Sequence, residues 1–238
     1  MEKEKKYAKM TDGSQIYYEK SGSGFPLFLL HGNGGNGNFF SQQVPLFEQH
    51  FTVYLIDSRG QGHSTNESAN LSFNLMAEDL ATILALENIQ QVDILGFSDG
   101  ANLALVFASS YPKNVHRLIL NSGNTLVQGV RLLPLIGSYL HYGIIWITSL
   151  FWPKLRKKLA VISLLLHNVG LTETQLSNIT CPTLILVGKK DVIKLQHSLF
   201  LAKTLPNASF VLVKGSGHQL ARQDPQRFNQ EVLKFLEE

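Results

Sequence analysis

Residues 96–100 read Gly96-Phe97-Ser98-Asp99-Gly100, directly after the apolar run 92–95 and directly before a helical pattern. A Gly-x-Ser-x-Gly between a strand and a helix marks a nucleophile turn. Such a turn forces the serine into a strained conformation, so the positions two residues either side must lack bulk, and Gly96 and Gly100 supply that room. Two further residues have the types that serine chemistry needs. Asp191 closes Gly188-Lys189-Lys190-Asp191 after the run 183–187, and His218 closes Gly215-Ser216-Gly217-His218 after the run 210–213. A neutral imidazole at His218 would take the Ser98 proton, and a carboxylate at Asp191 would fix the ring's tautomer and stabilise the imidazolium. Ser, then Asp, then His is the chain order of this arrangement on an α/β sheet. The blander reading makes Ser98 a surface residue in a glycine-rich turn, Asp191 a turn or helix-cap residue and His218 a loop histidine.

A second glycine-rich loop, His31-Gly32-Asn33-Gly34-Gly35-Asn36-Gly37, follows the run 27–30 and supports two readings. Gly32, Gly34 and Gly37 spell G-x-G-x-x-G, and Asp57 stands 20 residues beyond Gly37 at the end of the next run. That is close to a dinucleotide fingerprint, with the glycines admitting a pyrophosphate and Asp57 a ribose hydroxyl. Alternatively the loop is an oxyanion hole, with the backbone N–H groups of Asn33 and Asp99 aimed at a developing negative charge. Only the second reading uses Ser98. The bulky pair Phe39-Phe40 also suits core anchoring better than tight helix–sheet contact. His31 then shapes the loop rather than titrating, His63 sits in a packed turn, and His50, His116, His141, His167 and His197 lack a motif context.

These loops need strands to position them. Residues 7–10 and 15–19 flank Asp12-Gly13, a strong hairpin signal. Apolar runs follow at 26–30, 52–56, 92–96, 118–120, 183–187 and 210–213, nearly continuous as strands buried on both faces should be. Helical patterns lie between them at 73–87, 101–111, 195–205 and 225–236. The alternation predicts an α/β fold, a mostly parallel sheet with helices on both faces. The rhythm breaks at residues 124–179, about 56 residues of apolar, helical character, which divide a core at 1–123 and 180–238. Within them residues 132–152 carry no charge and are followed by Lys154, Arg156, Lys157 and Lys158. That length would cross a bilayer. Against a span, Pro134, Gly137, His141 and Gly143 interrupt the stretch, and crossing would split one sheet across a membrane.

Composition narrows the remaining classes. The 238 residues hold 21 Lys+Arg against 18 Asp+Glu, a net charge of +3, with 44% hydrophobic and 16% charged residues. Nucleic-acid binders gather a basic stripe; the group at 154–158 is the one dense cluster here, so nucleic acid is not expected. The single cysteine, Cys181, excludes an internal disulfide and a cysteine-built zinc cage. The charged start leads into no apolar h-region. A reduced, cytoplasmic compartment is the expectation, in which the sequons at Asn66, Asn70, Asn178 and Asn207 carry little meaning.

Taken together, the His31-Gly32-Asn33-Gly34 loop, the Asp57–Ser64 turn, the Gly96–Gly100 elbow, Cys181-Pro182-Thr183 leading to Gly188 and Asp191, and Gly217-His218 resemble the α/β-hydrolase superfamily over nearly the whole chain. The resemblance implies an eight-stranded sheet with its second strand antiparallel and a helical cap inserted after the sixth strand, where residues 124–179 fall. Carboxylesterases, enol-lactonases, carbon–carbon bond hydrolases and aminopeptidases share this look, while Ser98 at the elbow speaks against the dehalogenases and epoxide hydrolases that use an aspartate there. The short apolar cap departs from the larger, more polar caps of proline aminopeptidases. The expected activity is cleavage of a small carboxylic ester, lactone or thioester through an acyl-enzyme on Ser98, without cofactor or metal. Alternatives are carbon–carbon or amino-acid ester cleavage on the same triad, a weakly catalytic ligand receptor, and, last, a nicotinamide-binding oxidoreductase. The expected partner is a small ester with an apolar acyl or aromatic group. Asn124, Leu133, Ile136, Leu140 and Trp146 are the expected pocket residues, with the Asp99 side chain either capping its helix or meeting a substrate ammonium.

Overall fold

Eight runs of β-forming residues pair into one sheet in the computed structural model, which describes residues 3–68 and 70–237. They are β1 (Glu4–Lys9), β2 (Gln15–Gly22), β3 (Phe25–Leu30), β4 (Phe51–Ile56), β5 (Val92–Phe97), β6 (Val115–Asn121), β7 (Thr183–Lys190) and β8 (Ala208–Gly217). Their spatial order is β1-β2-β4-β3-β5-β6-β7-β8. β2 runs antiparallel to β1 and β4, and every other pairing is parallel. The hairpin that starts the sheet turns at Gly13, whose φ of 87° suits a residue without Cβ.

The described residues form nine α-helices. Ahead of the sixth strand come α1 (Val44–Phe47), α2 (Phe73–Leu86) and α3 (Asp99–Ser110). Between β6 and β7 come α4 (Leu132–Phe151), α5 (Arg156–Ser163) and α6 (Glu173–Ser177). The chain ends with α7 (Leu195–Thr204), α8 (Leu220–Gln223) and α9 (Pro225–Glu237). Strand side chains alternate between two buried clusters, as the period of two requires. Phe28 and Leu30 of β3 join α2, α3 and α7 on one face, while Leu27 and Leu29 join α1 and α9 on the other. The central strand β5 is buried at all six positions, which places its carboxyl end at a fixed point between two helical layers.

The inserted segment closes on itself at its base. The Val169 N–H donates to the Thr125 carbonyl at 2.9 Å, and the Val127 N–H donates to Asn168 Oδ1 at 2.9 Å. Val130 also forms an antiparallel bridge with Ile193, and the Arg131 N–H donates to Val192 O at 2.8 Å. Leu164, Leu176 and Ile179 of the inserted segment pack into the main core. α4 is one continuous helix, against the expected interruptions. Pro134 falls in its first turn, where the missing N–H had no helical acceptor. A Cβ added at Gly137 or Gly143 would meet nothing.

Candidate active site

The elbow is strained where the sequence says it must be. Ser98, between β5 and α3, has φ 54° and ψ −119°, a region that side-chain-bearing residues rarely occupy. A Cβ on Gly96 would collide with the backbone of Gly100 and Ala101, and one on Gly100 would strike the carbonyl oxygens of Leu30 and His31. Both glycines are therefore fixed by backbone contact. The turn is pinned by the Ser98 N–H, which donates to Asn121 O at 2.8 Å. Beneath it the Phe97 ring stacks on Phe39, with centroids 4.1 Å apart.

Asp191 and His218, carried just past the carboxyl ends of β7 and β8, complete a chain of hydrogen bonds. Ser98 Oγ lies 3.1 Å from His218 Nε2, and His218 Nδ1 lies 2.8 Å from Asp191 Oδ1. Asp191 is buried, yet it is held by the Ile193 N–H at 2.9 Å and the Ser122 hydroxyl at 2.6 Å. Burial alone would raise its pKa. The hydrogen bond and charge of His218, with those two further donors, outweigh burial and hold the carboxyl below the usual range. With Asp191 ionised, Nδ1 keeps its proton and Nε2 is free to accept one from Ser98. Ser122 escaped the sequence reading. It follows β6 with φ 59° and is fully buried, and the available signal was Asn121-Ser122-Gly123, turn-forming residues at the carboxyl end of a strand.

The glycine loop after β3 lies over Ser98, where a Cβ on Gly32 would come within 3.1 Å of the Ser98 Cβ. His31 is buried; its Nδ1 donates to Gly32 O at 2.7 Å, and its Nε2 accepts from the Ser58 N–H at 2.9 Å. Burial pushes its pKa down, so the ring is neutral and serves the loop's shape. Asp57 is buried and both its oxygens are engaged within the protein: Oδ1 accepts from the Gly37 N–H, and Oδ2 accepts from the N–H and ring of His63. The dinucleotide reading therefore loses its acidic partner. The turn that holds His63 is packed, with Asp57, Ser58, Arg59, Gln61 and Ser64 buried, while the His63 ring is largely exposed and lies against Tyr17 with centroids 4.6 Å apart. Asn33 and Asp99 flank Ser98 on the cavity wall, and neither backbone N–H donates to a protein acceptor among the described residues.

The Asp99 side chain neither caps α3 nor faces the cleft as a free anion. Asn33 Nδ2 donates to its Oδ2 at 2.8 Å and Asn102 Nδ2 to its Oδ1 at 3.3 Å. Burial raises its pKa to about 6, with the two amides and the charge of His218 opposing. The same Asn33 amide reaches Val161 O of α5 at 2.6 Å, so one side chain joins the loop, the elbow and the inserted layer.

Ser98 opens into a cavity of about 500 Å³. Its walls include Phe39, Phe97, Asn124, Leu135, Ser138 and Leu164. Asn124 is where it was expected, with its amide tied to Leu126 O at 3.1 Å. Leu133, Ile136, Leu140 and Trp146 are not. They are 80%, 44%, 63% and 53% exposed and lie outside the cavity. At 100° per residue, the side of α4 that carries Pro134, Leu135 and Ser138 inward turns Leu133, Ile136 and Leu140 outward, while Trp146 lies about two turns beyond Ser138, past the stretch of helix that lines the cavity. No group of three or more His, Cys, Asp or Glu is arranged to hold a metal among the described residues.

An eight-stranded sheet of this order, with a serine elbow on its fifth strand and an acid and base after its last two, defines a class of enzyme. Residues 26–144 match the family model for the α/β-hydrolase fold, and the chain belongs to that family of hydrolases. It is 28% identical over 273 residues to a 2-hydroxy-6-oxononadienedioate/2-hydroxy-6-oxononatrienedioate hydrolase of Paraburkholderia phymatum, covering 97% of this chain and 95% of that protein. It is 26% identical over 252 residues to the serine hydrolase BPHL of Homo sapiens, covering 95% of this chain and 84% of that one. The crystal structure of a hydrolase from Pseudomonas aeruginosa PA01 shares the fold with a TM-score of 0.82, at 20% identity over 98% of both chains.

Proposed function

We propose that the protein is a serine hydrolase that cleaves a small carboxylic ester, lactone or thioester through an acyl-enzyme on Ser98. The observation that carries this reading is the unbroken line from Ser98 Oγ through His218 to Asp191, at 3.1 and 2.8 Å, opening into a cavity. Ser98 Oγ attacks the carbonyl carbon as its proton passes to His218 Nε2. The oxyanion is held by the N–H groups of Asn33 and Asp99 and by the positive end of α3. Collapse breaks the ester C–O bond, and His218 gives its proton to the leaving oxygen. Water then loses a proton to His218, attacks the acyl carbon and releases the acid, restoring Ser98. Asp191 stays ionised throughout.

The cavity is within the range of small-molecule sites, about 300–1,000 Å³. Phe39, Phe97, Leu135 and Leu164 on its walls favour an apolar acyl or aromatic group. Asp99 is engaged by two amides, which argues against an α-amino requirement.

The test is a p-nitrophenyl ester series of increasing acyl length, with a fluorophosphonate to label the nucleophile. The wild type should turn over these esters and be labelled at Ser98. Ser98→Ala should lose about 10⁴-fold or more in kcat with an unchanged melting temperature. Wild-type turnover by Ser98→Ala rejects the nucleophile. Inert esters beside cleavage of a 2-hydroxy-6-oxononadienedioate, the substrate in the name of the Paraburkholderia relative, reject the ester and retain the triad.

A further inference from the structure

α4 is turned inside out. Among the described residues, eleven of the seventeen exposed large hydrophobic side chains lie between residues 132 and 152, with Leu133 80% and Phe151 73% exposed. Its inner stripe, including Leu135, Ser138 and Ser149, is at least partly covered, while the outer side carries Leu132, Leu133, Leu140, Ile144 and Phe151. Soluble surfaces rarely keep so long an apolar patch without a use for it. The helix also leaves no aliphatic hydroxyl in need of water. Ser138 donates to Pro134 O, Thr148 to Ile144 O and Ser149 to Trp146 O, at 3.2, 2.9 and 2.7 Å.

Charge is arranged around this face in a particular way. Residues 132–152 hold none, Arg131 stands exposed at the start, and exposed Lys154, Arg156, Lys157 and Lys158 follow the end. Lys157 approaches Glu67 at 3.7 Å; Arg131, Lys154, Arg156 and Lys158 have no acidic partner among the described residues. An apolar face with aromatic rings and a basic margin is the pattern of a helix lying in an anionic membrane surface.

We infer that α4 docks on an anionic lipid bilayer, its outer face in the acyl–headgroup boundary and the basic group against lipid phosphates. α4 is long and apolar enough to cross a membrane. Its place in the fold favours lying flat, because its inner stripe lines the cavity and its start is stitched to Val192 and Ile193. A second copy of the chain is the poorer occupant. Protein interfaces need about one hydrogen bond per 100–200 Å², and along most of its length the exposed surface of α4 offers few polar groups, chiefly the Tyr139 hydroxyl, the His141 ring and the Trp146 indole N–H, whereas lipid tails ask for none. Since Leu135 and Ser138 form both the inner side of α4 and a cavity wall, docking brings the cavity beside the bilayer.

The chain's two tryptophans, Trp146 and Trp152, are both on this segment, 53% and 63% exposed, so their fluorescence reports docking directly. Full-length protein is mixed with vesicles of phosphatidylcholine containing about one-third phosphatidylglycerol. Emission should shift to the blue and be quenched by brominated lipid, and the protein should float with the vesicles. The combined variant Leu133→Glu, Leu140→Glu, Phe151→Glu should stay in solution. Lys154→Glu, Arg156→Glu, Lys158→Glu should bind about 100-fold more weakly, as should the wild type at high salt. All substituted side chains are exposed, and a thermal melt equal to the wild type checks each fold. Wild-type tryptophans that neither shift nor quench overturn the inference, as does vesicle binding that survives the apolar variant. A dimer in sedimentation that the apolar variant dissociates, without vesicle binding, assigns the face to a second copy instead. None of these readouts depends on Ser98, so failure here and failure of the ester reading are separate results.

Discussion

Leu95 and Leu140 are the same residue in opposite circumstances. Leu95 on β5 has no exposed surface, whereas Leu140 on α4 is 63% exposed. The contrast extends to their surroundings. At the carboxyl edge of the sheet each reactive group has several partners: His218 has two, Asp191 three, and Ser98 sits between glycines that backbone contacts dictate. On the outer face of α4 the side chains have solvent. One region is over-determined so that atoms stay in place, and the other is left free so that something can be met. Buried precision and exposed greasiness are both costly to maintain, and they serve reaction and contact respectively.

The sharpest way to break the first region is at its acid. Asp191→Asn should lower kcat by about 10⁴-fold, because an amide there can stabilise the wrong histidine tautomer. Steady-state ester kinetics check it, and a silent variant would move the acid elsewhere. Next, the two leucines can be set against each other. Leu95→Ala should cost about 2–5 kcal/mol in urea unfolding, and Leu140→Ala should stay within about 0.5 kcal/mol. Equal costs would erase the distinction between the regions.

Asp99 gives a subtler test inside the over-determined region. Its folded pKa of about 6 stands above the ordinary 3.8, so between those values the folded state holds a proton that the unfolded state has released. Wild-type stability must therefore fall as pH rises through that window. Asp99→Asn carries no such proton, so its stability relative to the wild type should climb by up to about 3 kcal/mol between pH 4 and pH 6, then level off. Urea unfolding across that range measures it. A pH-independent difference would mean that Asp99 is ionised in the fold as freely as in the unfolded chain.

The line from Ser98 through His218 to Asp191 was legible in the sequence because chemistry and sterics both restrict it. Gly96 and Gly100 mark the elbow because no Cβ fits, and Asp191 and His218 stand where strands end. Strand positions were legible from apolar runs, since a parallel sheet buries both faces of its central strands. What stayed hidden depends on direction in space. Ser122 reads as an ordinary turn residue until β6 and β7 lie side by side and aim its hydroxyl at Asp191. The inner and outer sides of α4 could not be told apart, because both are apolar and a uniform pattern has no phase. Asn33 was expected for its backbone N–H, while the reach of its amide to Asp99 and Val161 arises only from tertiary packing.

The hydrogen bond from Val169 to Thr125 makes the cap a loop whose two ends already touch. Such an insertion asks little of the chain on either side, since lengthening or shortening it changes only a slowly varying closure entropy. Segments between these two residues can therefore be exchanged, by recombination or by an engineer, while β6 and β7 keep their register and the triad its geometry. In this architecture the Ser98–His218–Asp191 line is inherited with the sheet, and the choice of what approaches it travels as a separable cassette.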